Sequence, residues 1–324
     1  MKLLNQYPNI QKEMDIVQEL LIKTVQSRQP LVKKTAVEAI SSKGKRLRPL
    51  LVILSAMLGE YDSKTILPLA AAIELIHTAT LVHDDIIDES KLRRGRESIQ
   101  SQWGKDVAVF TGDFLLCKAF FMISQNGKGN QKDFSRFIQA IKIICEGEIQ
   151  QYDFRYKTNI TIRQYLKRIA AKTAILFSVS CYIGALQAKC SKKIIHALVR
   201  YGMSFGMAFQ ITDDVLDLTG EISLLGKPVH TDLLQGIYTL PIIYTLQHSR
   251  YSERLKKLLQ KEEHGQQYLS EIYDLVNQSG GVEYSKQLAQ KYLIRAEQAI
   301  RILPDCDSKK IMIQLLEMIL DRTM

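Results

Sequence analysis

Two long apolar stretches of this chain end in the same five-residue pattern of carboxylates. One leads into Leu81-Val82-His83-Asp84-Asp85-Ile86-Ile87-Asp88, the other into Gln210-Ile211-Thr212-Asp213-Asp214-Val215-Leu216-Asp217. On a helix, positions i and i+4 share a face, so Asp84 pairs with Asp88 and Asp213 with Asp217. Like charges at that spacing repel, and both sets fall toward helix C-termini, where the macrodipole disfavours carboxylates. Residues that work against local stability twice in one chain point to a ligand, and the ligand must be cationic.

Hard cations take oxygen donors. Mg²⁺ in particular is held by few carboxylates, with waters and substrate phosphates completing its shell. Neither cluster has the Cys and His of a zinc site. The expectation is two Asp-rich walls with Mg²⁺ and a diphosphate or polyphosphate ligand between them. Such a ligand also needs basic side chains from the protein.

The rest of the chain sets bounds on this reading. Its 324 residues, 46% hydrophobic and 24% charged, have ordinary globular composition. Cys117, Cys145, Cys181, Cys190 and Cys306 are odd in number and unclustered, which predicts reduced thiols and a cytoplasmic location. The net charge of +10 is spread along the sequence, not gathered in one aromatic-rich strip. It therefore argues for anionic substrates or membrane surfaces and against nucleic acid. The N-terminus lacks the apolar core of a signal peptide, and Glu74 and His77 interrupt the run from Ile66 to Val82, so a soluble protein is expected.

Apolar residues recur at intervals of three and four, as at Ile16, Leu20, Leu21 and Val25, with almost no strand-like alternation. The pattern predicts helices near 9–27, 30–41, 47–59, 63–88, 105–125, 133–156, 161–187, 191–219, 236–247, 251–262, 266–279, 283–302 and 307–322. The two carrying the carboxylates are apolar nearly all round, and so central. An all-α bundle forming a single domain over 1–324 is expected.

Basic residues fall at helix boundaries. Gly44 loosens a turn that carries Lys45 and Arg48, and Pro49 fits the first turn of the following helix, a favourable place for an anion. Arg93 and Arg94 follow the first carboxylate cluster and can fork onto phosphate. His77 lies two helical turns before Asp84 on the same face. Lys172-Thr173 interrupts an apolar helix, so Lys172 either snorkels or faces an anion. Gly202 and Gly206 permit close helix approach before the second cluster, and Gly226-Lys227-Pro228 marks a loop after it.

The order of these motifs resembles that of the trans-polyprenyl diphosphate synthases, which have the isoprenoid synthase fold. The matching residues are Gly44-Lys45-Arg46-Leu47-Arg48-Pro49, His77, both Asp-Asp-x-x-Asp clusters, Leu92-Arg93-Arg94-Gly95, Thr111-Gly112-Asp113, Lys172-Thr173, Phe209-Gln210 and Gly226-Lys227-Pro228. The likeness is greatest to catalytic subunits of bacterial hexaprenyl and heptaprenyl diphosphate synthases. Two departures are visible: Lys43 stands where many members have a second glycine, and Ile237 where many have Lys.

The resemblance implies a bundle around a deep central cavity in which isopentenyl diphosphate is joined to an allylic diphosphate (farnesyl or geranylgeranyl), lengthening it for quinone side chains. It implies Mg²⁺, about three ions, held by Asp84, Asp88 and Asp213, with Asp85 and Asp214 also in the catalytic set. Arg93, Lys172 and Lys227 would meet the leaving diphosphate, while Lys45, Arg48, His77 and Arg94 would hold isopentenyl diphosphate without metal. Thr173 and Gln210 would stabilise the allylic cation. Ala79, five residues before Asp84, stands where short-chain members carry Phe or Tyr. The growing chain would pass Thr80 or Ala79, then Ile76 and Ile73, along about 16 Å of helix, giving a product of about six or seven units. A homodimer or a heterodimer with a small regulatory subunit is implied, with product release to the membrane. The alternatives are a geranylgeranyl diphosphate synthase, a class I terpene cyclase, which takes no second substrate, and a weakly catalytic partner subunit, which would lose Asp motifs.

Overall fold

A computed structural model describes residues 2–42, 44–126, 131–220, 231–248, 250–260 and 266–320. Lys43, Gly226, Lys227 and Pro228 lie outside the described residues. The chain divides into two compact units interleaved in sequence. Unit one comprises Met1–Ile138, Ser178–Val199 and Ile302–Gln314; unit two comprises Gln139–Phe177, Arg200–Arg301 and Leu315–Met324. The fold is all-α, as expected from the apolar periodicity.

In chain order the helices are α1 (Pro8–Thr24), α2 (Pro30–Ser41), α3 (Leu47–Ala56), α4 (Ser63–Ile87), α5 (Ile99–Trp103), α6 (Lys105–Asn126), α7 (Gln131–Asp153), α8 (Ile162–Ile169), α9 (Ile175–Gln187) and α10 (Lys192–Thr219). Thr231–Leu234, Leu240–His248, Ser252–Leu259, Gln266–Gln278, Gly281–Ile300 and Asp307–Leu320 follow. The helix expected from 236 begins only at Leu240, because Gly236 takes a left-handed φ of 71° and breaks the approach.

In unit one, α4 is capped by Asp62, whose carboxylate accepts from the Lys64 amide at 3.1 Å and the Thr65 hydroxyl at 2.7 Å. Its apolar surface is covered by α1, α3 and α6, so its hydrophobic character is that of a core helix. The helix extends past the interrupted run Ile66 to Val82. Ser63–Ile87, Lys105–Asn126 and the segment Ile162–Gln187 are each long and apolar enough to cross a bilayer by length and composition, yet 78% of an 18-residue apolar window of the first is buried within the fold. None of the five cysteines forms a disulfide.

A two-stranded hairpin, Leu92–Arg93 paired antiparallel with Arg96–Glu97, follows α4 and was not expected. Its turn residues Arg94 and Gly95 both take positive φ, 52° and 76°, as a tight two-residue hairpin requires.

In unit two, α8 opens with a capping box between Thr161 and Gln164. The predicted continuous helix 161–187 is instead broken by one wide turn, a π-helical segment at Ala170–Ala174, where the Ile175 amide donates to the Ala170 carbonyl. This segment is gripped from two sides by glycines. A Cβ on Gly147 of α7 would stand 2.9 Å from Ala171 Cβ, and one on Gly206 of α10 would stand 2.6 Å from Ala174 Cα. Around it the core gathers Tyr165, Ile169, Met207, Ile211, Val215 and Tyr238.

Candidate active site

Within unit one, the C-terminal turns of α4 present His77, Thr80, Leu81 and Asp84 partly exposed, with Asp88 directly after them at the C-cap. Asp88 terminates the helix, its amide donating to the Asp84 carbonyl at 2.8 Å. Asp85, rotated off that face, is only 4% exposed. The hairpin supplies its partner. Arg93 Nε donates to Asp85 Oδ1 at 2.8 Å, and Nη2 donates to the same oxygen. Arg94, on the turn, reaches in the other direction and donates to the carbonyl and hydroxyl of Ser42, each at 3.3 Å. Its path explains Gly44, since a Cβ there would lie 2.8 Å from Arg94 Cζ.

His77 sits among these cations. Burial holds its imidazole well below the usual histidine range, and Arg48, Arg94, Arg46 and Arg93 push it further in the same direction. The result is a neutral ring amid a positive field, suited to a multiply charged anion. Arg94 is itself lowered, first by burial and then by Arg46 and Arg93, against the opposing pull of Glu74 and Asp85. Arg46 does not join the outward set. It takes a left-handed backbone, φ 48°, and turns inward to Glu74 and the Ile40 carbonyl. Lys45 beside it is exposed, and Arg48 half-buried.

A cavity of about 400 Å³ opens beside this cluster, lined in part by Ser42, Leu81, Val82, Asp85, Arg93 and Ile99. Neither Asp84 nor His77 lines it, so it is a side chamber against the Asp85–Arg93 pair. Thr80 is half-buried, its hydroxyl donating to the His77 carbonyl at 2.9 Å, while Ala79, Ile76 and Ile73 are fully buried. Gly112 of the Thr111-Gly112-Asp113 motif admits the His83 ring, whose Cδ2 would lie 2.6 Å from an added Cβ.

Unit two repeats the pattern on α10. Asp213 and Asp217 are half-exposed on the face shared with Phe209 and Gln210, while Asp214 is buried, 4% exposed. Asp214 accepts from the Tyr165 hydroxyl at 2.7 Å and from Gln210 Nε2 at 2.7 Å. Burial drives its carboxyl up to about 7, with Asp232 adding to the rise and the bonds from Gln210 and Tyr165 opposing it. Burial and Asp214 also hold the Tyr165 phenol well above its ordinary value, so it stays protonated. The Thr173 hydroxyl, in the π turn, donates to Gln210 Oε1 at 2.7 Å. Lys172 is ion-paired with Glu148 of α7 at 2.7 Å. Phe209 packs on Phe177, with ring centroids 5.6 Å apart. Ile237, at the position where Lys is common, is buried.

The sequence reading missed Tyr165, Glu148 and the inward Arg46. Tyr165 was accessible in principle, as a tyrosine two helical turns before Lys172-Thr173 in an otherwise apolar stripe. Arg46 was not, because only its backbone conformation separates it from Lys45 and Arg48.

Among the described residues no three His, Cys, Asp or Glu side chains converge as a protein-only metal cage. The donors available are pairs of accessible carboxylates, with each middle aspartate already engaged by protein groups. Such a set fits Mg²⁺, which takes few carboxylates and fills its shell from water and phosphate.

A profile of the polyprenyl synthetase family matches residues 29–276. The chain is 38% identical over 305 residues to heptaprenyl diphosphate synthase component 2 of Bacillus subtilis, covering 94% of this chain and 86% of that one. It is 34% identical to the geranylgeranyl diphosphate synthase of Saccharolobus solfataricus, with 86% of each chain covered. Its fold is similar to the crystal structure of heptaprenyl diphosphate synthase from Staphylococcus aureus, with a TM-score of 0.91, 34% identity and coverage of 97% and 99%. It is similar also to a polyprenyl synthase from Caulobacter crescentus complexed with calcium and isoprenyl diphosphate, with a TM-score of 0.91, 32% identity and coverage of 99% and 97%.

Proposed function

The chain belongs to the polyprenyl synthetase family, and from that premise we propose how its own residues divide the work and what product they make. It is a prenyltransferase that condenses isopentenyl diphosphate with an allylic diphosphate to give a longer polyprenyl diphosphate. The observation that favours a two-substrate transferase over a cyclase is the neutral His77 ringed by guanidinium groups. That cluster gathers the charges of Arg48, Arg94, Arg46 and Arg93 around one imidazole, a composition different from the pairs of accessible carboxylates.

In this proposal Lys45, Arg48, His77 and Arg94 hold the diphosphate of isopentenyl diphosphate, fixing its double bond for attack. Arg93, Lys172 and Lys227 contact the allylic diphosphate. Lys172 exchanges Glu148 for it, and Arg93 contributes its remaining donors while staying on Asp85. Mg²⁺, which Asp84, Asp88 and Asp213 would hold, supplies charge neutralisation at the leaving diphosphate. The allylic C–O bond breaks with its electron pair leaving on pyrophosphate. The Thr173 and Gln210 oxygens stabilise the cation. The isopentenyl double bond then forms the new C–C bond, and the released pyrophosphate takes the lost proton, so no nucleophilic side chain is required.

We assign farnesyl or geranylgeranyl diphosphate as the primer and a long chain as the product, because Ala79 offers only a methyl on the proposed path past Thr80, Ile76 and Ile73. A cytoplasmic enzyme that delivers its product to the membrane accords with that chemistry. Assembly is part of the proposal as well. Phe110 and Phe121 of α6 are 68% and 62% exposed, an apolar display suited to a second copy of the chain. The relatives named component 2 point to a further subunit as the alternative partner. The deciding experiment incubates the purified chain with labelled isopentenyl diphosphate and farnesyl diphosphate, with Mg²⁺ or with chelator, and resolves the dephosphorylated products by thin-layer chromatography. Metal-dependent products longer than geranylgeraniol support the proposal; a metal-dependent cyclic hydrocarbon without uptake of label refutes it.

A further inference from the structure

The second carboxylate cluster contains one aspartate that faces away from the accessible side, and its hydrogen bonds form a directed chain. Tyr165 donates to Asp214 Oδ2, Gln210 Nε2 donates to Asp214 Oδ1, and the Thr173 hydroxyl donates to Gln210 Oε1, each at 2.7 Å. An amide has one donating and one accepting end. With Nε2 committed to the carboxylate, Oε1 must point at Thr173. With the Thr173 proton committed to Oε1, the hydroxyl offers only lone pairs to whatever approaches it. The inward end of the chain is closed, because Tyr165 and Asp214 are buried and Tyr165 lies wholly within the unit-two core.

We propose that Tyr165 and Asp214 are positioning residues that set the amide orientation of Gln210, so that the Gln210 carbonyl and the Thr173 hydroxyl both present oxygen lone pairs to the allylic cation. A flipped amide would turn an N–H toward Thr173 and toward positive charge. The bond that prevents the flip ends on the buried Asp214, where a hydrogen bond is stronger than its exposed counterpart. The inference rests on the prenyltransferase reading and adds to it two residues that act through others. It also accounts for the wide turn at Ala170–Ala174, which carries Thr173 and is gripped by Gly147 and Gly206.

The test compares wild type with Tyr165→Phe, Asp214→Leu and Asp214→Asn. Asp214→Asn can still accept from Gln210 through its amide oxygen and serves as the conservative rescue. Two probes are titrated calorimetrically in Mg²⁺. One is a farnesyl diphosphate analogue bearing a protonated tertiary amine at carbon 3, which carries part of the cation's charge; the other is the farnesyl thiolodiphosphate analogue, neutral throughout its hydrocarbon part. Wild type should favour the ammonium probe. Asp214→Leu should lose roughly 10-fold of that preference, the scale of one buried hydrogen bond, and Tyr165→Phe about threefold. Affinity for the neutral probe should stay within about twofold, with kcat falling in parallel and KM unchanged. Asp214→Asn should retain most of the preference. Equal losses for both probes, or a preference unchanged in Asp214→Leu, would overturn the inference. Should Asp214→Leu not fold, Tyr165→Phe alone decides by the same criterion. Failure of the prenyltransferase reading would show separately, as wild type that takes up no isopentenyl label.

Discussion

Replacing Gly206 by Ala isolates the geometry of the wide turn from the identity of its side chains. A Cβ at position 206 would lie 2.6 Å from Ala174 Cα and 2.9 Å from both Ala174 Cβ and Phe177 Cδ2. Ordinary contact begins at 3.4 Å, so the turn or α10 must give by about 0.8 Å. The first atom met is backbone and cannot rotate away. One added methyl in a packed core costs roughly 1–3 kcal/mol of stability. Thr173 precedes Ala174 directly, and Gln210 lies one turn beyond Gly206, so the displacement passes straight to the pair proposed to face the cation. A shift of about 1 Å in such groups can cost about 100-fold in rate. The expected outcome is a kcat lower by roughly 10- to 100-fold, with KM for isopentenyl diphosphate within about twofold of wild type. Steady-state assays with varied isopentenyl diphosphate, paired with a circular-dichroism melt, read both effects. A folded variant with wild-type kcat would refute the reasoning, because the turn would then tolerate the shift without consequence.

Asp84→Ala should lower turnover by about 1,000-fold or more while leaving the melting temperature unchanged or raised, because it relieves the repulsion with Asp88; near-normal turnover would contradict the assignment. Arg94→Ala should raise the KM for isopentenyl diphosphate, and Gly44→Ala should do the same, since the added Cβ falls on the Arg94 guanidinium; a normal KM in both variants would show that Arg94 is not the contact. The lowered His77 pKa means that the unfolded chain takes up a proton near pH 6.5 that the native state refuses. This contribution to stability is complete above about pH 6.5 and falls below it by up to about 1.4 kcal/mol per pH unit, and denaturant melts of His77→Gln should lack that limb. Ala79→Tyr should shorten products to about four isoprene units while leaving the first condensation fast, because a ring on α4 would close the proposed path; an unchanged product ladder on thin-layer plates would rule that path out.

The chemistry was more legible in the sequence than the contacts that support it. Helical spacing put Asp84 with Asp88 and Asp213 with Asp217, and both pairs do share accessible faces near helix ends. The bounds of α4 and α10 also fell within one residue of expectation, because caps and apolar periodicity mark them strongly. The wide turn was visible only as a polar interruption, since an i→i+5 bond leaves no composition of its own. The hairpin was hidden by its length: two residues per strand show no alternation, and Arg94-Gly95 is a weaker turn signal than Asn-Gly. Lys172 was read as facing an anion or solvent, and its partner Glu148 could not be found by periodicity across two helices.

The two clusters solve one geometric problem with different local resources. At 100° per residue, the second aspartate of Asp-Asp-x-x-Asp must leave the face that the first and last share. Near a core helix that direction leads inward, where an unpartnered carboxylate is costly. On α4 the chain continues for a few residues into a hairpin and sends Arg93 back to Asp85 as a charged partner. On α10 the hydrogen-bonding partners are neutral, and the Arg168 charge acts on Asp214 only through space. Asp214 is met by a phenol from α8 and an amide one turn back on its own helix. On the proposed mechanism the first solution places a phosphate-binding group and the second orients neutral oxygens. On that proposal the pattern recurs in sequence because its outer members share a task, while the middle member in each case carries the chemistry particular to its unit.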